Sequence, residues 1–296
     1  MIASLMPAVR IHCWGGFGSQ LFAILQYWNL QKHFPDRKIV LIIHTSGITR
    51  RDMEIEPLLG DIPFKVMNDF AQRRESTTNL LKSSIRIRTI KTKLYSSTKN
   101  LIAKVGLLSE LENQKAFDSL RPWVISVRGH YTRYPFKPAD VLRLYGVMSI
   151  VDGERLNDKS ENGVLTIQYR LGDLLNLTEK SFVDPELLLS IADPIAKKPN
   201  IIRTILLSDS PEEARHLLAN NYRNWEVVNM SPIATIQTCV NSSEFIGTNS
   251  KISFWITVFR GLKSKESHIV DVFREKLNLI SDKSTVSKFI YYQGGI

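Results

Sequence analysis

The sequence predicts an α/β protein of two lobes, and three observations carry the prediction. Its 296 residues are roughly twice the usual single-domain length. Two series of short apolar strands alternate with helical patterns along the chain. Between the series, Asp152–Gly163 is acidic and polar, a composition suited to a linker. The lobes are therefore expected over 1–155 and 156–296. Hydrophobic residues make up 43% and charged residues 23%, which fits a packed core and argues against global disorder or a multi-span membrane protein.

The opening reads as strand, glycine turn and helix. Val9-Arg10-Ile11-His12-Cys13 alternates apolar with polar, Trp14-Gly15-Gly16-Phe17-Gly18-Ser19 breaks the pattern, and Leu21, Ile24, Leu25 and Trp28 then share a helical face. A second strand, Lys38–His44, follows the Pro35-Asp36 turn, and Trp123–Val127 reads as another. The second series comprises strands at Val164–Tyr169, Ile201–Leu207, Trp225–Val228 and Phe245–Gly247. Helices are expected around Pro185–Ala192, Pro211–Asn220 and Lys251–Leu262. Two such lobes are expected to hold a ligand in the cleft between them, beyond the carboxyl ends of the strands.

The formal net charge of +10 points to partners that carry negative charge: phosphate groups, nucleic acid or an anionic membrane surface. Nine basic residues against one acid between Arg73 and Lys104 supply most of it. Ile87, Ile90, Leu94 and Leu101 lie at helical spacing there, so two readings stand: a basic amphipathic helix resting on anionic lipid, or a solvated helix packed on its own lobe. The segment holds one aromatic, Tyr95, and the chain shows no helix-turn-helix or zinc-finger pattern, which argues against nucleic acid. Cys13 and Cys239 offer neither a disulfide framework nor a four-ligand zinc site, so a reducing compartment is expected. The uncharged run Ile11–Gln31 is broken by glycines and polar residues, so a cytoplasmic chain without a membrane span is expected.

Four segments could carry chemistry. Gly15-Gly16-Phe17-Gly18-Ser19-Gln20 lies between strand and helix, where backbone can approach a bound group and a helix N-terminus favours an anion. It is not a dinucleotide fingerprint, since Leu21 takes the third glycine position; by itself it reads more readily as a purely steric strand-to-helix turn. Gln168-Tyr169-Arg170-Leu171-Gly172-Asp173 sets a guanidinium at a strand end, suited to a bidentate phosphate contact, or to a salt bridge with Asp173. Ser208-Asp209-Ser210-Pro211 either caps a helix or offers Asp209 to a base edge or sugar. Thr248, Asn249 and Ser250 lead into an apolar helix and could supply hydroxyls and amides to a pyrophosphate. There is no Asp-x-Asp, no His-Glu-x-x-His and no Gly-x-Ser-x-Gly.

In this order, the motifs resemble those of the inverting α-1,2-fucosyltransferases, glycosyltransferase family 11, and more distantly the α-1,6- and protein O-fucosyltransferases. Gly15-Gly16-Phe17-Gly18-Ser19-Gln20-Leu21-Phe22 is similar to the family's Gly-Gly-Leu-Gly-Asn-Gln-Leu-Phe, and Arg51-Asp52-Met53-Glu54-Ile55 to its Arg-x-Phe-Glu-Leu. Gly129-His130-Tyr131 resembles its Gly-Tyr-Phe/Trp stretch, Arg170-Leu171-Gly172-Asp173 its His-x-Arg-x-Gly-Asp, and Leu207-Ser208-Asp209 its Phe-Ser-Asp. Asn249-Ser250-Lys251-Ile252-Ser253-Phe254-Trp255 is similar to Asn-Ser-Ser-Phe-Ser-Trp-Trp. The family's histidine is Gln168 here, its first-motif asparagine is Ser19, and two small residues become Lys251 and Ile252.

The resemblance implies a GT-B fold of two Rossmann-like lobes. It implies metal-independent transfer of fucose from GDP-fucose in α-1,2 linkage to a glycan of the surface-polysaccharide or O-antigen type, with no cofactor. Carried over, Arg170 would grip the donor diphosphate, Asp209 would contact guanine, and Thr248, Asn249 and Ser250 would bind phosphate. Gly16, Phe17, Gly18, Ser19 and Gln20 would shape the donor cleft, and Gln168 would stand where the family's histidine meets the nucleotide. Asp173 would take the acceptor proton or orient Arg170, while His12, His130 and Tyr131 are acceptor-side candidates. The implied partners are a nucleotide sugar and a glycan, lipid-linked forms included, with residues 73–104 giving peripheral contact to the inner face of the membrane. Two alternatives stay open: another nucleotide-sugar donor, or a basic nucleic-acid or membrane-binding module.

Overall fold

The computed structural model describes residues 6–45, 52–67, 101, 104–111, 114–129, 131, 137–150, 161–176, 182–218, 224–248, 250–270 and 289–292. The chain divides into two compact units, Met1–Pro135 and Phe136–Ile296. Each carries one sheet whose strand pairs are all parallel, the α/β class the alternating pattern predicts.

The first unit contains β1 (Val9–Trp14), α1 (Phe17–His33), β2 (Ile39–His44), α2 (Glu56–Leu59), β3 (Phe64–Met67), β4 (Leu108–Glu110), α3 (Gln114–Asp118) and β5 (Ser126–Arg128). The strands lie in the order β3-β2-β1-β5-β4. Val9, Ile11 and Cys13 are buried on one face of β1, where the Cys13 thiol reaches the Ser19 carbonyl at 3.8 Å. Helix α1 is more deeply buried than a single apolar face requires: every residue from Phe17 to Leu30 is covered, Gln20, Gln26 and Asn29 among them. No charged residue occurs in this helix before Lys32, so nothing in it holds a face in water. It stops where the Phe34 amide bonds Leu30 O at 2.8 Å and Pro35 follows. The strand expected at Trp123–Val127 begins only at Ser126, because Trp123 turns outward and gives its indole N–H to Val105 O at 2.7 Å.

The second unit contains α4 (Pro138–Ile150), β6 (Glu161–Gln168), α5 (Pro185–Ala196), β7 (Arg203–Leu207), α6 (Pro211–Leu218), β8 (Glu226–Val228), α7 (Pro232–Asn241), β9 (Ser242–Gly247), α8 (Lys251–Leu262), β10 (Ser267–Val270) and β11 (Phe289–Tyr292). Its strands lie in the order β11-β10-β9-β6-β7-β8. Helix starts follow local chemistry: Asp184 accepts the Glu186 and Leu187 amides before Pro185, and Ser231 accepts the Ala234 amide before Pro232. Leu165, Ile167, Leu188, Ile191, Leu206 and Ile246 form its core. The fully buried Arg260 of α8 donates to Cys239 O and Ser242 O at 2.8 Å and to Glu266 O, tying three segments together, while burial pulls its pKa down to about 10.

Helix α4 belongs to this second unit. Its Tyr145 ring lies 5.3 Å from that of Phe259, and Met148 O accepts from Gln237 at 3.4 Å. The division of the chain therefore falls before α4, earlier than the polar stretch marks. Most of that stretch, residues 151–160, lies outside the described residues, as do residues 73–100 of the basic segment. Among the described residues, no helix is long and apolar enough to cross a membrane.

Candidate functional site

In the second sheet, β6 runs on to β7 and β8 on one side, while β9, β10 and β11 continue on the other. The order thus reverses between β6 and β9, and the carboxyl ends of two such neighbours are where open parallel sheets place ligands. Gln168 and Gly247 pair in register there. Thr248, fully buried, holds the two ends together: its amide and its hydroxyl donate to Gln168 O at 3.1 and 2.8 Å, and its oxygen accepts the Arg170 amide at 3.0 Å.

Ser250 caps α8, accepting the Ser253 amide at 2.9 Å. Its hydroxyl also donates to Gln168 Oε1 at 3.0 Å, and the Ser253 hydroxyl donates to the same oxygen at 2.6 Å. All three side chains are buried. Asp209, at the tip of β7, accepts the Leu171 amide at 2.9 Å. Gly172 follows with φ +26°, and a Cβ there would overlap the Asp209 carboxylate. The backbone of Arg170, a half-buried residue, is thus held by Thr248 near the N-terminus of a twelve-residue helix, where first-turn amides and the macrodipole favour an anion.

The first sheet has its own reversal, between β1 and β5. At β1's carboxyl end, Trp14 stacks on His44 with ring centroids 4.3 Å apart and planes 10° apart. His44 Nε2 lies 2.8 Å from His12 Nδ1, and the Arg128 guanidinium lies 5.9 Å from the centre of the Trp14 ring. Tyr131, at φ 52°, places its buried hydroxyl 2.7 Å from His12 O and 3.1 Å from Val127 O. Burial raises its pKa well above the ordinary value.

The sequence-expected residues fall into these two places. Gln168, Arg170, Asp209, Thr248 and Ser250 meet at the β6–β9 end; His12 and Tyr131 meet at the β1–β5 end. Asn249 and His130 lie outside the described residues, as does the Asp173 side chain. Gly16, Phe17, Gly18, Ser19 and Gln20 begin α1 in the first unit. Glu54 Oε2 accepts the Phe17 amide there at 3.0 Å, so a carboxylate of the chain itself occupies the helix end expected to face a phosphate. Gln20 is buried and spans the turn, donating to Gly15 O and Asp52 O at 3.1 Å and accepting the Glu54 amide at 3.1 Å. Gln168 and Ser250, expected to meet a ligand, are hydrogen-bonded to one another. His44 and Arg128 escaped the sequence reading, and Ser253 figures there only within a motif; the β1–β2 register, which pairs Trp14 with His44, is what brings the first of them in.

No family model matches the chain, and no curated protein matches it in sequence. Solved structures do resemble it. The E. coli heptosyltransferase WaaC with ADP is 11% identical, with 97% of this chain and 93% of that chain covered and a TM-score of 0.49. The glycosyl transferase family 9 structure from Veillonella parvula DSM 2008 is 10% identical, with 97% and 86% covered and a TM-score of 0.45. The fucosyltransferase NodZ from Bradyrhizobium is 9% identical, with 86% and 93% covered and a TM-score of 0.40.

Proposed function

We propose that the chain is an inverting glycosyltransferase that binds a nucleotide diphosphate sugar at the carboxyl end of the second sheet. On the motif resemblance, the donor is GDP-fucose and the product an α-1,2-linked fucosyl glycan. One observation carries the reading: the backbone of Arg170 is fixed through Thr248 at the β6–β9 reversal, near the start of α8. A guanidinium and helix amides together suit a diphosphate.

The chemistry is a single displacement. An acceptor hydroxyl oxygen bonds to C1 of the sugar as the C1–O bond to the diphosphate breaks, and the electron pair leaves with the phosphate oxygen. Arg170 and the α8 amides stabilise that developing charge, so no divalent ion is invoked. The acceptor proton passes to a base, for which Asp173 is the sequence-derived candidate. Asp209 and Thr248 act on the loop that bears Arg170.

A second reading, transfer from another nucleotide sugar, is favoured by Gln168. Its oxygen is already held by Ser250 and Ser253, so the position resembling the family's histidine is built into the scaffold. Thermal denaturation against GDP, UDP, ADP and dTDP separates the two. GDP at a hundredfold excess over its Kd should stabilise the protein by about 2.7 kcal/mol. Arg170→Ala should lose most of that stabilisation. Unchanged GDP affinity and turnover in this variant would overturn the reading.

A further inference from the structure

We infer that the carboxyl edge of the first sheet binds an acidic sugar, its ring against the Trp14 indole and its anionic group on Arg128. The inference rests on the transferase reading only in making that sugar the acceptor; the site itself stands on the following geometry.

Trp14 is partly exposed and its ring orientation is set by the stack on His44, which the His12 contact holds in turn. A fixed, partly exposed aromatic ring at a strand end needs little ordering when a ligand packs against it. Arg128 supplies the charge. Its guanidinium lies 5.9 Å from the centre of the Trp14 ring, so an anionic group bound beside the indole would meet it. Tyr131 adopts a left-handed conformation beside it, the kind of backbone strain that concentrates at binding sites, and its hydroxyl links the carbonyls of His12 and Val127.

The neighbouring surface extends the same chemistry. His12 also lines a cavity of about 560 Å³ on this face of the sheet. Arg10, Lys38 and Lys65 lie around it, no acidic side chain is among the described residues that line it, and Val40 and Ile42 form an apolar floor. A neutral glycan gains nothing from these cations, whereas one bearing carboxylates is attracted along its length.

Calorimetric titration with trigalacturonic acid, and with maltotriose as the neutral counterpart, tests the site. The acidic sugar should bind, more weakly at higher salt, and the neutral one should not. Arg128→Gln should weaken binding about tenfold or more, and Trp14→Leu should abolish it. Arg10→Gln changes an exposed residue and should weaken binding about threefold with the fold intact. Failure of the wild type to bind the acidic sugar, equal binding of both sugars, or wild-type affinity in Arg10→Gln together with a folded Arg128→Gln overturns the inference. Stabilisation of the wild type by GDP is read separately, so either result can fail without the other.

Discussion

Gln168 Oε1 accepts a hydrogen bond from the Ser250 hydroxyl at 3.0 Å, joining the last residue of β6 to the cap of α8 across 82 positions of sequence. The same oxygen takes the Ser253 hydroxyl, and Ser250 in turn takes the Ser253 amide. Sheet and helix are therefore fixed to each other through one buried amide group. The helix start proposed to meet a diphosphate is set by this brace and not by loop chemistry alone.

Gln168→Ala removes the shared acceptor and leaves two buried hydroxyls to find one another at 3.3 Å. Stability should fall by about 1–3 kcal/mol, the usual consequence of orphaning buried donors. Denaturant titration gives the number, and the nucleotide-induced thermal shift should shrink with it. A variant as stable as the wild type would show that the brace contributes nothing.

How far these features could be read in advance depends on where their causes lie. Helix α8 has the predicted limits, Lys251 to Leu262, because a capping serine and an apolar helical face are written locally. Helix α7 was not foreseen: Pro-Ile-Ala-Thr-Ile-Gln-Thr-Cys-Val-Asn is rich in β-branched residues, and the Ser231 cap and packing against α8 override that bias. Strand β3 is exposed at all four residues and shows no alternation, and only its pairing with β2 makes it a strand. Arg170, Asp209 and Thr248 were legible as a group since each ends or follows a strand. The partners of Gln168, Gln20 and His12 were not, because each is fixed by residues more than 30 positions away.

The Gly172 turn gives a second prediction. Its φ of +26° already disfavours a side chain, and an added Cβ would run into the Asp209 carboxylate. Gly172→Ala should cost about 1–3 kcal/mol and displace the loop that carries Arg170. Asp209→Ala removes the obstacle but also the acceptor for the Leu171 amide. The double variant should therefore be less destabilised than the sum of the singles by at least about 0.5 kcal/mol, a coupling that a double-mutant cycle reads directly. Strict additivity would mean that the two residues do not contend for the same space.

Acid provides the third prediction, through Glu244 of β9. His268, and then Lys198 at 2.6 Å, hold its carboxyl down to about 2 against a partial opposing effect of burial. The histidine Nε2 lies 3.6 Å away, an ion-pair separation too long for a hydrogen bond, so Lys198 is the firmer partner. A carboxyl with a lowered folded pKa stabilises the fold fully above its unfolded value, and that contribution is lost as pH falls through the folded one. Glu244 is largely shielded from solvent while Lys198 is not, so the contribution is set at about 2 kcal/mol after screening. Glu244→Gln should accordingly be less stable than the wild type by that amount near neutral pH. The gap should close between about pH 4.5 and pH 2, as seen in urea midpoints taken at matched ionic strength. A gap that stays constant down to the lower limit would show that the charge on Glu244 does not support the fold.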